Sequence, residues 1–142
     1  IERENLGLCA SSNVSDLFNL TSASFERQNI IISKAEFIYH KKFVNFFLEK
    51  KLGKTITISN KKNQKVVAGA FVFKDFDQTL HVPLVGIENS KFGGSLLYMK
   101  IIEYALSTNC KRIDFNGANS PKRAYFKHSM GALAKPYFEI NY

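Results

Sequence analysis

A run of eight mostly apolar residues in the middle of the chain, residues 66–73 (VVAGAFVF), constrains the fold more than any other segment. An unbroken apolar run of this length is typical of a strand that is covered on both faces of a sheet. Residues 54–60 precede it and alternate isoleucine with threonine, which predicts a half-buried strand, and residues 79–86 follow it. Because short polar turns join the three segments, the pattern predicts an antiparallel meander. Pro83 has no N–H to donate, so it predicts an edge or a bulge in the third strand.

Two helices are predicted before this meander. Residues 13–28 place apolar side chains at near-helical spacing. Ser33 and Glu36 have the spacing of a capping box, which predicts a second helix from that point to about Leu52. Gly53 is expected to end this helix as the first residue beyond it.

The order of the remaining elements predicts the fold class. A third helix over about residues 95–107, a strand over 112–116, a short helix over 123–129 and an extended segment over 133–142 follow the meander. This order predicts a mixed α/β (α+β) fold, in which a mostly antiparallel central sheet carries helices on both faces. The strand–helix–strand unit over residues 79–116 is expected to cross over with the right hand, and its strands either pair in parallel or splay. No linker interrupts the pattern, so residues 1–142 are expected to form one domain.

Charge and cysteine content limit the partners and the compartment. The formal net charge of +8 favours anionic partners such as nucleotides, phosphorylated carriers, RNA or acidic membranes, and a solvated basic surface without a role is the alternative. Cys9 and Cys110 lack metal-binding spacing and indicate thiols of a reducing, cytoplasmic compartment, with a disulfide between them as the alternative. The histidines show no paired spacing, so no metal site is expected. The sequence has no apolar stretch long enough to span a membrane.

Two segments suit the binding of a ligand. Residues 110–136 predict a short strand that runs into a corner rich in Gly, Asn, Ser and Pro, and open α/β sheets bind ligands at such strand ends. Asp114 lies at the end of this strand and is expected to orient the corner by accepting backbone N–H groups. Gly93, Gly94 and Ser95 stand at the start of the third predicted helix, where backbone N–H groups and the helix dipole suit a phosphate. The alternative is that these glycines form only a loop and a cap.

Three motifs carry a resemblance to a known family. They are residues 24–28 (SFERQ), residues 96–105 (LLYMKIIEYA) with residues 113–117 (IDFNG), and residues 126–132 (FKHSMGA). Their order and spacing resemble the GNAT acyltransferase superfamily, most closely its FemAB/FemX-like or BioF2-like branch. Proteins of that branch usually carry two such domains in tandem. The resemblance therefore implies a GNAT-like fold and identifies this chain with the second, C-terminal domain.

The resemblance also implies an activity. It implies an N-acyltransferase that moves an acyl or aminoacyl group from acyl-CoA or aminoacyl-tRNA to an amine of a cell-envelope, sugar or peptide precursor. The loop of Gly93, Gly94 and Ser95 would hold the pyrophosphate of the donor. Phe126 would pack against the adenosine end of the donor, and Lys127 would stabilise the negative charge that develops as the acyl group moves.

The acceptor side of the site is predicted from the residue types of the corner. Asp114 either orients the corner, which we favour, or acts as the base for the attacking amine. A polar rim suits recognition of the acceptor and consists of Asn116, Asn119, Ser120 and Arg123. The alternative is that Ser120 and Pro121 only begin the short helix, as its N-cap and first residue.

A second class of function fits the same residues. The family's pyrophosphate loop usually reads Q/R-x-x-G-x-G/A, and Ser90 and Ser95 depart from that pattern. A non-catalytic GNAT-like module that binds RNA or another anionic ligand through its basic surface is therefore the alternative. In that case Phe126 and Lys127 are simply a core residue beside a surface residue.

Overall fold

The computed structural model describes residues 5–8, 13–89, 92–117 and 121–136 of the chain. Within them the structure has five strands and four helices. In chain order these are β1 (Leu6–Leu8), α1 (Val14–Arg27), α2 (Lys34–Glu49), β2 (Gly53–Asn60), β3 (Val66–Lys74), β4 (Thr79–Ile87), α3 (Gly93–Ser107), β5 (Arg112–Asp114) and α4 (Pro121–Ser129).

The strands form one sheet in the order β1-β2-β3-β4-β5. The first three pairs of neighbours are antiparallel and β4 pairs with β5 in parallel, so the prediction of a mixed, mostly antiparallel sheet is confirmed. The strand β1 was not predicted, because three residues at the edge of a sheet leave no periodic signal.

Helices cover both faces of the sheet, as expected. On one face, α1 and α2 pack against the sheet around Leu17, Val44 and Phe71. On the other face, α3 packs against the middle strands around Leu97 and Ile101. The run over residues 66–73 is covered on both faces, which is why nearly all of it is apolar.

The prediction that β2 is half-buried was wrong. Both faces of β2 are buried. The side chains of Thr55 and Thr57 on one face are buried, and so are those of Ile56 and Ile58 on the other. The reason is that α1 lies over the threonine face, where the methyl group of Thr57 packs beside Leu17 over Gly69. A threonine presents one methyl group to such an interface, so a threonine in the sequence does not by itself indicate an exposed position.

The predicted end of α2 was also wrong. The helix ends at Glu49, and Lys51 takes the left-handed conformation, with φ of 56°, that was expected of Gly53. The N–H of Leu52 donates to the Phe47 carbonyl at 2.8 Å, as in a Schellman ending. Gly53 instead begins β2, where a Cβ atom would lie 2.5 Å from the Phe71 ring. The capping box at Ser33 is present as predicted.

Pro83 lies in a β-bulge, which confirms one of the two predicted outcomes. His81 pairs with Phe73 and Leu84 pairs with Phe71, so two residues of β4 stand opposite one residue of β3. The extra residue bends β4 and increases its twist directly after His81.

The parallel pairing of β4 with β5 is short. It joins Thr79 to Arg112, Leu80 to Ile113 and His81 to Asp114, and then it stops. The strand β4 continues to Ile87, whereas the chain leaves the sheet after Asp114. The two strands therefore first pair in parallel and then splay, which combines the two predicted arrangements.

The last helices begin earlier than predicted. Helix α3 begins at Gly93 rather than residue 95, and α4 begins at Pro121 rather than residue 123. Residues 133–136 are not part of a strand, and the rest of the predicted terminal segment lies outside the described residues. Within the described ranges, no helix combines the length and the apolar character needed to cross a bilayer.

Candidate functional site

The splay of β4 and β5 leaves a slot at the edge of the sheet. Beyond His81, no described strand pairs with β4 on the side that faces β5. Residues 82–87, which have no strand partner on this side among the described residues, form one wall of the slot, and we call them the open edge of β4. The other wall is the corner that follows β5, together with α4.

Lys127 holds this corner together. Its ammonium group donates to the carbonyl oxygens of Phe115 at 2.6 Å, Gly117 at 2.6 Å and Asn116 at 3.3 Å. Burial lowers the pKa of Lys127, and the positive charge of Arg123 lowers it further, while Asp114 opposes the shift. An ammonium group has three N–H donors, so these carbonyls account for all of them.

Asp114 stabilises the same corner from the strand. Its Oδ1 accepts a hydrogen bond from the N–H of Asn116 at 2.8 Å. Asn116 is in the left-handed region, with φ of 65°, which asparagine tolerates better than most residues. This hydrogen bond is the contact that an orienting role for Asp114 requires.

A histidine that the sequence analysis left unassigned lies between two carboxylates at the start of the slot. The Nε2 atom of His81 lies 2.7 Å from Oδ2 of Asp75, and its Nδ1 atom lies 3.6 Å from Oδ2 of Asp114. The imidazole ring stacks on Phe73 at a centroid distance of 4.9 Å. The hydrogen bond from His81, followed by one from the N–H of Thr79, lowers the pKa of Asp75.

The hairpin register explains how Asp75 and His81 meet. Phe73 pairs with His81 across the β3–β4 hairpin, and Asp75 lies two residues beyond Phe73 on the same face. Diagonal neighbours of this kind are within reach of long or aromatic side chains. The sequence signal was an Asp on one side of a turn and a His on the other, but its meaning depends on a register that the sequence does not state.

Phe126 anchors α4 to α3. Its ring lies 5.1 Å from the ring of Tyr98, and Tyr98 lies 5.2 Å from the ring of Phe115. Burial raises the pKa of Tyr98. Phe126, the aromatic residue expected to contact a donor, is therefore half-buried against Tyr98 and joins α4 to α3.

Gly93, Gly94 and Ser95 form the first turn of α3, beside the end of β4. The N-cap residue, Phe92, makes no side-chain hydrogen bond to this turn, and a Cβ atom on Gly94 would lie 3.2 Å from the Ile87 side chain. Tyr98 is one turn further along the helix, so the same face of α3 meets the corner. The glycine-bearing turn and the Phe126–Lys127 pair thus lie on neighbouring elements.

The end of α1 ties the two walls of the slot together. The Arg27 guanidinium donates to the carbonyl of Ile87 at the end of β4, and the Nε of Arg123 on α4 donates to Oε1 of Gln28 at 3.0 Å. The sequence analysis gave Arg27 and Gln28 no role beyond the motif they belong to. The carbonyl of Ile87 contacts Arg27, and the side chain of Ile87 lies beside Gly94. The positive charge of Arg27 is therefore close to the start of α3.

The remaining predicted residues are placed as follows. Asn116 and Arg123 lie at the corner, with Arg123 tied to α1. Asn119, Ser120 and Ser90 lie outside the described residues. In the part of the chain that is described, no three His, Cys, Asp or Glu side chains are grouped to hold a metal ion.

Solved structures share this architecture. A predicted acetyltransferase from Clostridium acetobutylicum with acetyl-CoA matches with a TM-score of 0.73 and 12% identity over 96% of this chain and 95% of its own. Glucosamine-6-phosphate N-acetyltransferase from Arabidopsis thaliana matches with a TM-score of 0.60 and 18% identity over 98% and 99% of the two chains. A transcriptional regulator from Bacillus halodurans matches with a TM-score of 0.68 and 15% identity over 96% and 99%.

These matches establish the fold. The chain has the curled, mostly antiparallel sheet and flanking helices of the GNAT acetyltransferases, which confirms the expected fold class. The sequence matches no protein-family model, and no curated protein matches it significantly. Fold likeness alone does not establish an activity, so the function is argued from the slot.

The three hydrogen bonds of Lys127 predict a stability effect. Replacing Lys127 with Met keeps most of the side-chain length and removes the donors, which leaves three carbonyls unpaired and is expected to cost about 1–3 kcal/mol. Urea unfolding and hydrogen exchange of the α4 amides measure the loss. Lys122→Met, on the exposed side of the same helix, is the matched control and should change little. Equal behaviour of the two variants would contradict the assigned role.

The contact between Asp75 and His81 predicts a pH dependence. Because the folded state lowers the pKa of Asp75, the carboxylate adds stability above its unfolded pKa and loses that contribution as the pH falls through the folded pKa. The difference in unfolding free energy between the natural chain and Asp75→Asn should therefore shrink between about pH 5 and pH 2. Urea unfolding across this range tests it, with Asp77→Asn in the same turn as control. A difference that does not vary with pH would count against the pair.

Proposed function

We propose that the chain is an N-acyltransferase that transfers an acyl group from acyl-CoA to a primary amine bound beside the slot. The observation that carries the proposal is the parting of β4 and β5 after three residue pairs, with an α-helix starting at one end of the gap and a polar corner, held by hydrogen bonds of Lys127 and Asp114, at the other. Fold neighbours named as acetyltransferases, one of them with acetyl-CoA, support this class of reaction.

The donor would bind along β4. The first turn of α3 and the guanidinium of Arg27 provide positive charge for the diphosphate of CoA at one end. The pantetheine arm of CoA contains two amides, and the open edge over residues 82–87 offers backbone groups with which such amides pair. This arrangement brings the thioester towards the bulge at Pro83.

His81 is the group best placed to accept a proton from the amine. If Asp75 accepts a hydrogen bond from Nε2–H, the lone pair of Nδ1 is left as a base, and Asp114 stabilises the imidazolium that forms. The amine nitrogen attacks the thioester carbonyl and gives a proton to His81, the C–S bond breaks, and the same proton passes from the imidazolium to the departing CoA thiolate. Holding donor and amine side by side supplies a large part of the rate.

Lys127 and Asp114 then act through the shape of the corner. We assign them as positioning residues, since the described hydrogen bonds of Lys127 go to backbone carbonyls and Asp114 accepts from Asn116. A direct contact between Lys127 and the developing oxyanion remains a prediction from the resemblance. The packing of Phe126 against adenosine is a prediction of the same kind. The recognition of the acceptor by Asn116, Asn119, Ser120 and Arg123 remains a prediction from the residue types of the corner.

The finer assignment follows the FemAB-like motifs. They favour aminoacyl-tRNA as an alternative donor, a cell-envelope, sugar or peptide amine as the acceptor, and a place as the second domain of a tandem, cytoplasmic, bacterial protein. The net charge of +8 supports a polyanionic donor because tRNA binding draws on many phosphate contacts.

The rival proposal is a non-catalytic module that binds RNA or another anionic ligand. The internal use of the Lys127 ammonium favours it, since that cation is not directed at a ligand. A transcriptional regulator among the fold neighbours supports the view that this architecture also serves proteins not named as enzymes.

Binding of CoA to matched variants tests the donor site. Ser95 is exposed in the first turn of α3, so Ser95→Asp should preserve the helix while its carboxylate repels the diphosphate. Calorimetry should show CoA binding to the natural chain and a loss of at least tenfold in Ser95→Asp. Ser107→Asp makes the same charge change about 18 Å along the helix and should bind CoA normally.

The result also separates the two functions. Absence of CoA binding to the natural chain, together with RNA binding that weakens steeply as salt rises, would overturn the acyl-CoA proposal in favour of the module. Equal CoA binding by Ser95→Asp and Ser107→Asp would show that the start of α3 is not the donor site.

A further inference from the structure

An open groove lies between α2 and the bulge of β4. Its volume is about 200 Å³. Most of its lining is apolar or aromatic, and the lining residues are Tyr39, His40, Phe43, Val44, Pro83 and Leu84. The sequence analysis assigned none of these residues to a ligand. It gave Pro83 a structural role only.

The groove adjoins the carboxylate–histidine cluster. Pro83 and Leu84 lie two and three residues after His81 along β4. The ring of Phe43 lies 6.0 Å from the ring of Phe73, on which His81 stacks at 4.9 Å. The groove therefore lies on the same face of the sheet as His81, and Phe73 contacts both Phe43 of the groove wall and the imidazole ring.

The volume of the groove limits a ligand to a small molecule or a small group. An apolar cavity of about 150 Å³ is enough to hold benzene. A volume of about 200 Å³ therefore accommodates one aromatic ring with a short chain, or an alkyl group of similar size. A disaccharide or peptide precursor would have to leave most of its mass outside.

The chemistry of the lining points the same way. Each hydroxyl group of a sugar that enters an apolar groove without a partner costs free energy, whereas an aromatic face gains contacts with Tyr39 and Phe43. The Nδ1 atom of His40 is buried and has no hydrogen-bond partner in the described structure. Because this atom is fully covered, a molecule in the groove does not reach it, and the fit of a ligand depends on the apolar and aromatic lining.

We propose that this groove binds the acceptor, and that the acceptor is a primary amine carried on a single aromatic ring or an alkyl body of that size. This inference rests on the proposed acyltransfer, for which it supplies the substrate class. The apolar body lies against Tyr39, Phe43 and Leu84, and the amine points towards His81. The sugar or peptide amine implied by the family resemblance does not fit this lining.

Phenethylamine is the probe, and glucosamine is the polar amine of comparable size. Amide NMR of the full chain, with and without CoA, should show phenethylamine shifting residues 39–44 and 82–84, with no effect of glucosamine there. Tyr39 is 66% exposed, so Tyr39→Ala should fold normally and weaken phenethylamine about fivefold through the lost ring contact. Tyr125→Ala removes a tyrosine that is 78% exposed on α4 and should bind phenethylamine normally.

The outcomes separate this inference from the proposed function. CoA binding without any effect of phenethylamine, stronger binding of glucosamine, or equal affinity in Tyr39→Ala and Tyr125→Ala would overturn the acceptor assignment and leave the donor site intact. Phenethylamine binding in the groove without CoA binding would support the aromatic-amine site and contradict the acyl-CoA reaction.

Discussion

The short parallel contact between β4 and β5 is the constraint on which the site depends. Three residue pairs join the strands, and the bulge at Pro83 then turns β4 away while the left-handed Asn116 turns the other chain segment away. If the two strands continued to pair, their backbone groups would be used within the sheet and no open edge would remain. The slot is therefore a consequence of two local backbone features placed directly after one pair, His81 and Asp114.

Polar contacts connect the two sides of the opening where strand pairing is missing. Lys127 donates hydrogen bonds to three carbonyls of the corner. At the end of α1, Arg27 connects to β4 and Gln28 connects to α4. The aromatic contacts of Tyr98 fix α3 and α4 on the same side. A site of this kind is positioned by hydrogen bonds to backbone groups, which suits a reaction in which alignment of two substrates matters most.

The sequence predicted the features that are local and failed where a contact joins distant segments. The meander, the capping box at Ser33 and the bulge at Pro83 follow from short patterns, and the structure confirms them. The buried threonine face of β2 depends on where α1 packs, and the contact of His81 with Asp75 depends on hairpin register. Lys51, rather than Gly53, takes the left-handed position after α2, and Gly53 begins β2 against the Phe71 ring, a contact between distant segments. The grouping of Asp114, Asn116 and Lys127 was anticipated as a corner, but the direction of the Lys127 hydrogen bonds was not.

Hydrogen exchange of the full chain with and without CoA tests the central claim most directly, since the open edge of β4 is the surface assigned to the donor. The account predicts that CoA slows exchange of outward-facing amides over residues 82–87 and of the first turn of α3, with little change in β1 and β2. Protection confined to other surfaces, such as the lysines of α2, or no protection at all, would contradict it.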